Sequence, residues 1–370
     1  MKIQIVSWRD PLNPKAGGAE VCLVEIARRL EARFGHEIAW FAPEFPGGSP
    51  AAEHEGIAIE RRGRFATVHA NVLRRFRGRR RQTADVYIED YHGVTLGLAW
   101  LLTKPHVIFV HEVADRIWLE MWPFPVSWTG FLLEKATLRL LGRAHFVAVS
   151  ESTRRDLVAH GIRAEQITTI SEGSDLPPVD RPIPRRERPQ RFVFLGRVCK
   201  MKRVDLLLEA FARHREVHPK STLVLAGTVD EGFRRELEAI AARERLEGSF
   251  ELRGRVSVEE KRDLLQTSLA LVSCSMHEGF GLVVVEASSQ GTPSLTFDVR
   301  GYRDLVVPGT NGFLVPFPDV KALGRRMSDL VTLDEHRFDE LAARSLEESR
   351  RYSWDKTAAD VDRLLRRLTG

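Results

Sequence analysis

Ser275-Met-His-Glu-Gly-Phe-Gly-Leu-Val-Val-Val-Glu-Ala-Ser-Ser-Gln-Gly-Thr-Pro293 is the stretch that decides how this chain is read. The apolar run Leu269 to Val272 just before it predicts a buried strand, and the apolar residues from Leu282 predict a helix. Gly279 and Gly281 fall at the turn between them, where a bare backbone can approach a ligand and present N–H groups to it. The positive end of the helix lies at the same place and favours an anion such as a phosphate. With a helix starting near Gly281, Glu278 sits in the preceding loop and Glu286 about a turn and a half inside. One carboxylate then meets the reacting end of a ligand, and the other lies further along it.

Outward from this stretch, strand and helix patterns alternate through the chain. In the second half, strands are predicted at Phe192–Leu195, Ser221–Ala226, Phe250–Arg253 and Ser294–Phe297, with helices at 204–215, 231–244 and 257–267. The first half repeats the design, with strands at Ile3–Ser7, Glu37–Ala42, Ile57–Arg61, Asp85–Glu89, His106–His111, His145–Val149 and Gln166–Ile170. Helices are expected there at 20–33, 132–141 and 152–160, the last capped by Ser152. Such alternation predicts an α/β fold of two Rossmann-like, doubly wound domains facing a cleft, with ligands at the carboxyl ends of the strands. A length of 370 residues exceeds one hydrophobic core and agrees with two domains. We place them at residues 1–175 and 191–350, joined by a proline-rich linker at 176–190. A final helix within 351–370, capped by Ser353, is expected to cross back to the first domain.

Composition narrows the class. Apolar residues make up 43% and charged residues 29%, which suits a globular protein in water. The sequence shows no membrane-spanning run and no signal-peptide pattern, so a cytoplasmic location is expected. Cys22, Cys199 and Cys274 are too few and too scattered for a disulfide framework or a zinc site. The net charge of +5 does not by itself imply a nucleic-acid partner. Between Arg61 and Arg81, however, nine arginines occur without one acidic residue.

A second motif follows the first strand of the second domain: Gly196-Arg197-Val-Cys-Lys-Met-Lys202-Arg203. A glycine at a strand end followed by basic residues can neutralise a diphosphate. Together, Gly196-Arg197 with Lys202, Glu278-Gly-Phe-Gly-Leu282 with Glu286, and Gly291-Thr-Pro293 resemble the family-4 glycosyltransferases of the GT-B fold. Ala16-Gly17-Gly18-Ala19-Glu20, Val110-His111-Glu112 and Tyr352-Ser353-Trp354 look like further landmarks of that family, so the resemblance runs from about residue 1 to residue 365. It implies a retaining, nucleotide-sugar-dependent hexosyltransferase with a saccharide or lipid-linked acceptor, and no cofactor beyond a UDP- or GDP-sugar donor. By the same resemblance, Arg197 and Lys202 bind the diphosphate, Glu286 the ribose and Glu278 the sugar, while the backbone of Gly279, Phe280, Gly281 and Leu282 lines the donor. Gly254 and Val256 border the base. His111 reaches the sugar from the first domain, and Gly17 and Gly18 let their loop approach the acceptor.

No metal is expected. The Asp-x-Asp pair Asp360 and Asp362 reads as the solvated face of the last helix, and Arg197 with Lys202 supplies the neutralising charge. Other readings stay open: a GT-B-like epimerase or phosphorylase, a sugar-nucleotide sensor without turnover, or a nucleic-acid-binding protein using the arginine segment. No recognised nucleic-acid motif accompanies that segment. It reads as a solvated loop or, with the aromatic residues from Ile117 to Trp128, as a peripheral contact with an anionic membrane.

Overall fold

The computed structural model describes residues 1–141 and 144–370. They form two α/β units, Met1–Gly173 with Ser353–Gly370, and Ser174–Tyr352.

The first unit holds strands β1 (Lys2–Val6), β2 (Glu37–Glu44), β3 (Ala51–His54), β4 (Ile57–Arg64), β5 (Val86–Tyr91), β6 (His106–Val110), β7 (His145–Ala148) and β8 (Ile167–Thr169). Their order is β3-β4-β2-β1-β5-β6-β7-β8, with every neighbour parallel except the β3–β4 hairpin. β5 and β6 are buried along their whole length, as helices on both faces require. The hairpin was not anticipated from the sequence. Its two-residue turn is Glu55-Gly56, with φ of 50° and 85°, the tight geometry that glycine favours.

The second unit contains β9 (Arg191–Leu195), β10 (Thr222–Ala226), β11 (Phe250–Gly254), β12 (Ala270–Ser273), β13 (Ser294–Phe297) and β14 (Gly312–Val315). They run parallel in the order β11-β10-β9-β12-β13-β14. Numbered within the unit, this is 3-2-1-4-5-6, the order of a dinucleotide-binding sheet, and its direction of winding reverses between β9 and β12.

Four expectations need correction. The proline-rich segment 176–190 is a strap fastened to the second unit, not a free linker. Arg188 is buried and donates to the carbonyls of Ile183, Ser268 and Gly291 and to the Thr292 hydroxyl, while the Val179 amide donates to the Ser289 carbonyl. Burial lowers the Arg188 pKa to about 10, so it stays charged at neutral pH. Asp362 is not on a solvated face: it is buried, 2.6 Å from His36 Nε2 and 2.8 Å from Arg366 Nε. The helix Glu151–Ala159 is capped by Ser150, whose hydroxyl accepts from the Thr153 amide, and not by Ser152. Lastly, the arginine segment is largely ordered, with a helix at Val68–Phe76 whose Val68, Val72 and Phe76 enter the core.

Within that segment, Arg61 belongs to the interior. It follows Ile57 and Ile59 on the buried face of β4, and its Nε and Nη2 each lie 2.7 Å from a carboxylate oxygen of fully buried Asp10. A third donor, Nη1, reaches the Ser49 carbonyl at 2.7 Å. Removing one member leaves the other as an uncompensated buried charge. Arg61→Ala is therefore expected to destabilise the first unit by about 3 kcal/mol in urea unfolding. Arg79→Ala, at an exposed position, is expected to stay within about 0.5 kcal/mol of the parent.

Candidate active site

Because the second sheet is all parallel, the loops after its strands leave along one edge. Gly196, Arg197 and Lys202 follow β9; Gly227 follows β10; Gly254 ends β11 and Val256 lies just beyond it; Glu278 follows β12; and Tyr302 follows β13. The basic turn and the glutamate loop thus flank the point where the winding reverses, where such sheets bind ligands. A main-chain hydrogen bond from Met276 N to Met201 O, 3.2 Å, ties these two loops together.

Glu278 is gripped from two sides. Lys202 Nζ lies 2.6 Å from its Oε2, and the Tyr302 hydroxyl donates to the same oxygen at 3.1 Å. Both donors fall on Oε2. Tyr302 is fully buried and also lies 2.5 Å from the Ser273 hydroxyl. Burial, followed by the charge of Glu278, holds its phenol well above the usual range, so it remains a proton donor. Glu286 lies inside the helix Leu282–Ser289, 2.5 Å from Lys261 Nζ through Oε1. Neither Tyr302 nor Lys261 was singled out from the sequence, because no local pattern marks a partner 24 or 25 residues away.

Two glycines are required by the geometry. Gly281, with φ of 107°, takes the left-handed cap position and carries no side chain to cover the first helical turn. A Cβ on Gly227 would sit 1.9 Å from the Gly196 carbonyl oxygen, so the β9 and β10 loops pass each other only because this residue is bare. Phe280 has its place in the core. Its side chain is buried edge-on against Tyr352, with centroids 5.8 Å apart, so only its backbone can line a donor. Arg197 is exposed at the same edge, and Leu282 is half-buried in the first turn.

The corresponding edge of the first unit is a buried polar cluster. Arg9 and Glu20 follow β1, Asp90 and His92 lie at the end of β5, His111 follows β6, and Glu172 follows β8. Glu172 Oε1 lies 2.9 Å from His111 Nδ1, and Asp90 Oδ1 lies 3.6 Å from His111 Nε2. Asp90 Oδ2 is 2.9 Å from His92 Nε2, which is 3.7 Å from Glu20 Oε1; Arg9 reaches Glu20 Oε1 at 3.5 Å. Glu20 Oε2 accepts from the Gly17 amide at 2.7 Å and so caps the helix Gly18–Phe34. Gly17 and Gly18 are both exposed, and φ at Gly17 is an ordinary −138°. A Cβ at Gly17 would meet nothing closer than Glu20 at 3.8 Å, so the fold itself does not demand glycine there.

Burial opposes charging His111, but its hydrogen bond to Glu172 and the charges of Glu172 and Asp90 outweigh it and raise its pKa. His92 is raised in the same way, with Asp90 as the main counterweight to burial. Asp90 is held low, against the cost of its burial, by His92, His111 and Arg9. Cys22 touches this cluster, and its thiol is pushed well up by burial and then by Glu172 and Asp90, so it stays neutral. Three carboxylates thus face Arg9 and two histidines that favour protonation. Nearby, buried Glu134 fixes the loop after His111, accepting from the amides of Ala114 and Asp115 at 2.9 and 2.7 Å. It was not recognised in the sequence.

Comparison with known proteins agrees with this architecture. The family described as Glycosyltransferase Family 4 matches residues 16–176, and Glycosyl transferases group 1 matches residues 178–345. A D-inositol 3-phosphate glycosyltransferase of Streptomyces bingchenggensis is 26% identical over 95% of this chain and 84% of its own. A GDP-mannose:cellobiosyl-diphosphopolyprenol alpha-mannosyltransferase of Komagataeibacter xylinus is 26% identical over 97% of this chain and 91% of its own. In fold, sucrose-phosphate synthase from Thermosynechococcus elongatus superposes with a TM-score of 0.80 at 20% identity, covering 100% of this chain and 99% of that one. Anabaena HepE in complex with UDP and glucose gives 0.77 at 20% identity, covering 100% of both chains. The fold and the matched profiles define a nucleotide-sugar-dependent glycosyltransferase of GT-B architecture. The chain belongs to glycosyltransferase family 4.

Tyr302→Phe removes one charge-assisted hydrogen bond to Glu278 and keeps the ring in place. A loss of about 1.5 kcal/mol is expected, roughly tenfold in donor affinity, by isothermal titration with the nucleotide sugar that binds.

Proposed function

We propose that this enzyme is a retaining hexosyltransferase that moves a sugar from UDP or GDP to a saccharide or lipid-linked acceptor in cell-envelope polysaccharide or glycolipid synthesis. The observation that carries the reading is the convergence of Arg197, Lys202, Glu278 and Glu286 at one edge of the second sheet, beside a helix cap with no side chain. Arg197 and Lys202 hold the diphosphate, the backbone from Gly279 to Leu282 encloses phosphates and sugar, Glu278 takes sugar hydroxyls and Glu286 the ribose. Gly254 and Val256 border the base. In the first unit, His111 serves the transferred sugar, and Gly17 and Gly18 admit the acceptor.

In the reaction, the acceptor hydroxyl oxygen bonds to the anomeric carbon as the bond from that carbon to the diphosphate oxygen breaks. The hydroxyl proton passes to a diphosphate oxygen. Negative charge grows on the leaving group, and Arg197, Lys202 and the helix N-terminus stabilise it where a metal would otherwise be needed. The relatives named for inositol 3-phosphate and for a diphosphopolyprenol saccharide support acceptors of those two kinds. A thermal-shift screen of UDP-, GDP-, ADP- and dTDP-sugars is expected to find a UDP- or GDP-sugar that stabilises the protein. The gain is about 2.7 kcal/mol at a hundredfold excess over Kd. Arg197→Ala should abolish the shift, and acceptor-dependent nucleotide release should be unchanged by EDTA. Release at the same rate without acceptor would overturn the transferase reading.

The first unit also exposes a basic patch and an aromatic patch, each suited to an anionic bilayer. Arg62, Arg64, Arg74, Arg77, Arg79, Arg80 and Arg81 are exposed, as are Trp122, Phe124 and Trp128 at 54%, 80% and 52%. No helix among the described residues is long and apolar enough to cross a membrane, so attachment would be at the interface. The protein is expected to sediment with phosphatidylglycerol vesicles at physiological salt and not with phosphatidylcholine vesicles. Reversing Arg77, Arg79 and Arg80 to Glu should release it, each cation contributing about 1 kcal/mol.

A further inference from the structure

In the first unit, both ring nitrogens of His111 face carboxylates. Nδ1 is 2.9 Å from Glu172 and Nε2 is 3.6 Å from Asp90. The two acids come from opposite sides, β5 and the segment after β8, and no local sequence signal links either to His111. Burial is nearly complete, with Asp90 fully enclosed and Glu172 5% exposed. His111 Nε2 and Asp90 Oδ1 are both closed to solvent and have no hydrogen-bond partner.

We propose that Glu172 and Asp90 are positioning residues that keep His111 as an imidazolium of fixed orientation, so that it serves the reaction as a hydrogen-bond donor and not as a base. This rests on the reading that His111 acts in sugar transfer. Glu172 accepts the Nδ1 proton and sets the ring plane. The Nε2 side then faces Asp90 at a distance too long for a direct hydrogen bond, so that carboxylate acts on the ring through its charge. The other groups that face the ring are consistent with a cation. Cys22 is a neutral thiol, and Phe109 packs beside the imidazole with centroids 6.4 Å apart. His92 is the one unfavourable neighbour, and Asp90 and Glu20 both lie near it. Cluster neutrality supplies the driving force: with Arg9, two protonated histidines balance Glu20, Asp90 and Glu172.

The sign of the pH dependence follows from His111 being raised in the folded state. Its stabilising contribution is complete below the unfolded pKa of about 6.5 and is lost as pH rises through the folded value above it. The test is a histidine-labelled NMR titration of the full chain, with the His111 signal assigned through His111→Gln. In the parent, His111 should titrate above 6.5, unchanged by EDTA. In Glu172→Gln it should titrate lower, and the alkaline limb of the transfer rate should move down with it. Each unit of displacement means about tenfold less activity at pH values above both midpoints. Asp90→Asn should act in the same direction and provides a second route should Glu172→Gln fold poorly. Titration at or below 6.5 in the parent overturns the proposal, as does a chelator-sensitive signal or a Glu172→Gln enzyme with a lower rate but an unmoved pH profile. A His111→Gln enzyme with parental transfer rates would instead overturn the role of His111 in transfer while leaving the titration result intact.

Discussion

Parallel pairing gives a sheet only one edge from which all its strands' carboxyl ends emerge, and both units depend on this constraint. In the second unit it gathers loops from three strands, β9, β12 and β13, separated by up to about a hundred residues, around Glu278. In the first it gathers Arg9, Asp90, His111 and Glu172, whose spacing in sequence is wider still. Neither cluster needs local sequence proximity. Strand order does the assembling, and the reversal of winding beside the innermost strand leaves room there for a ligand.

The two edges solve opposite electrostatic problems. At the second unit's edge the charges are partly exposed and mostly basic, the state expected of a surface awaiting a polyanion. Lys202 and Glu278 shield each other, and Tyr302 fixes the carboxylate without adding charge. The first unit's edge is buried and rich in carboxylates, so the fold answers with Arg9 and two histidines. A buried cluster of this kind is costly unless its charges match closely. Its presence at a strand edge, where no packing need calls for it, is a sign of chemistry.

Much of this was legible in the sequence, and what was missed has definite causes. Most strands and helices with clear periodicity fall within a residue or two of their expected bounds, although the helix expected at 132–141 starts at Val126 and the strand expected at Ile57–Arg61 runs to Arg64; the donor motif was readable because its residues follow strand ends directly. Tyr302, Lys261 and Glu172 were not, since each matters through a contact far away in sequence. In the sequence Asp362 reads as solvated because helical period cannot show that His36, 326 positions earlier, waits on that face. Arg61 did carry a signal: it continues the alternation of Ile57 and Ile59, which places it inside. The cluster of arginines after it obscured that pattern. The prolines of 176–190 excluded an α-helix, leaving one 3-10 turn at Arg185–Glu187, but an extended segment can pack as well as float, and Arg188 decides the matter.

The division of the chain has a consequence for biosynthesis. The helix Trp354–Thr369 belongs to the first unit, where Trp354, Ala358, Val361 and Leu365 are buried and Asp355 pairs with Arg29 and Arg33 of the first helix. Roughly 180 residues of the second unit are translated between the body of the first unit and this last piece. At ribosomal speeds of about 5–20 residues per second, the first unit waits on the order of 10–40 s with one side uncovered. The unit begun first is therefore finished last, and a chain that stalls in between leaves the ribosome-bound product with that side open to chaperones.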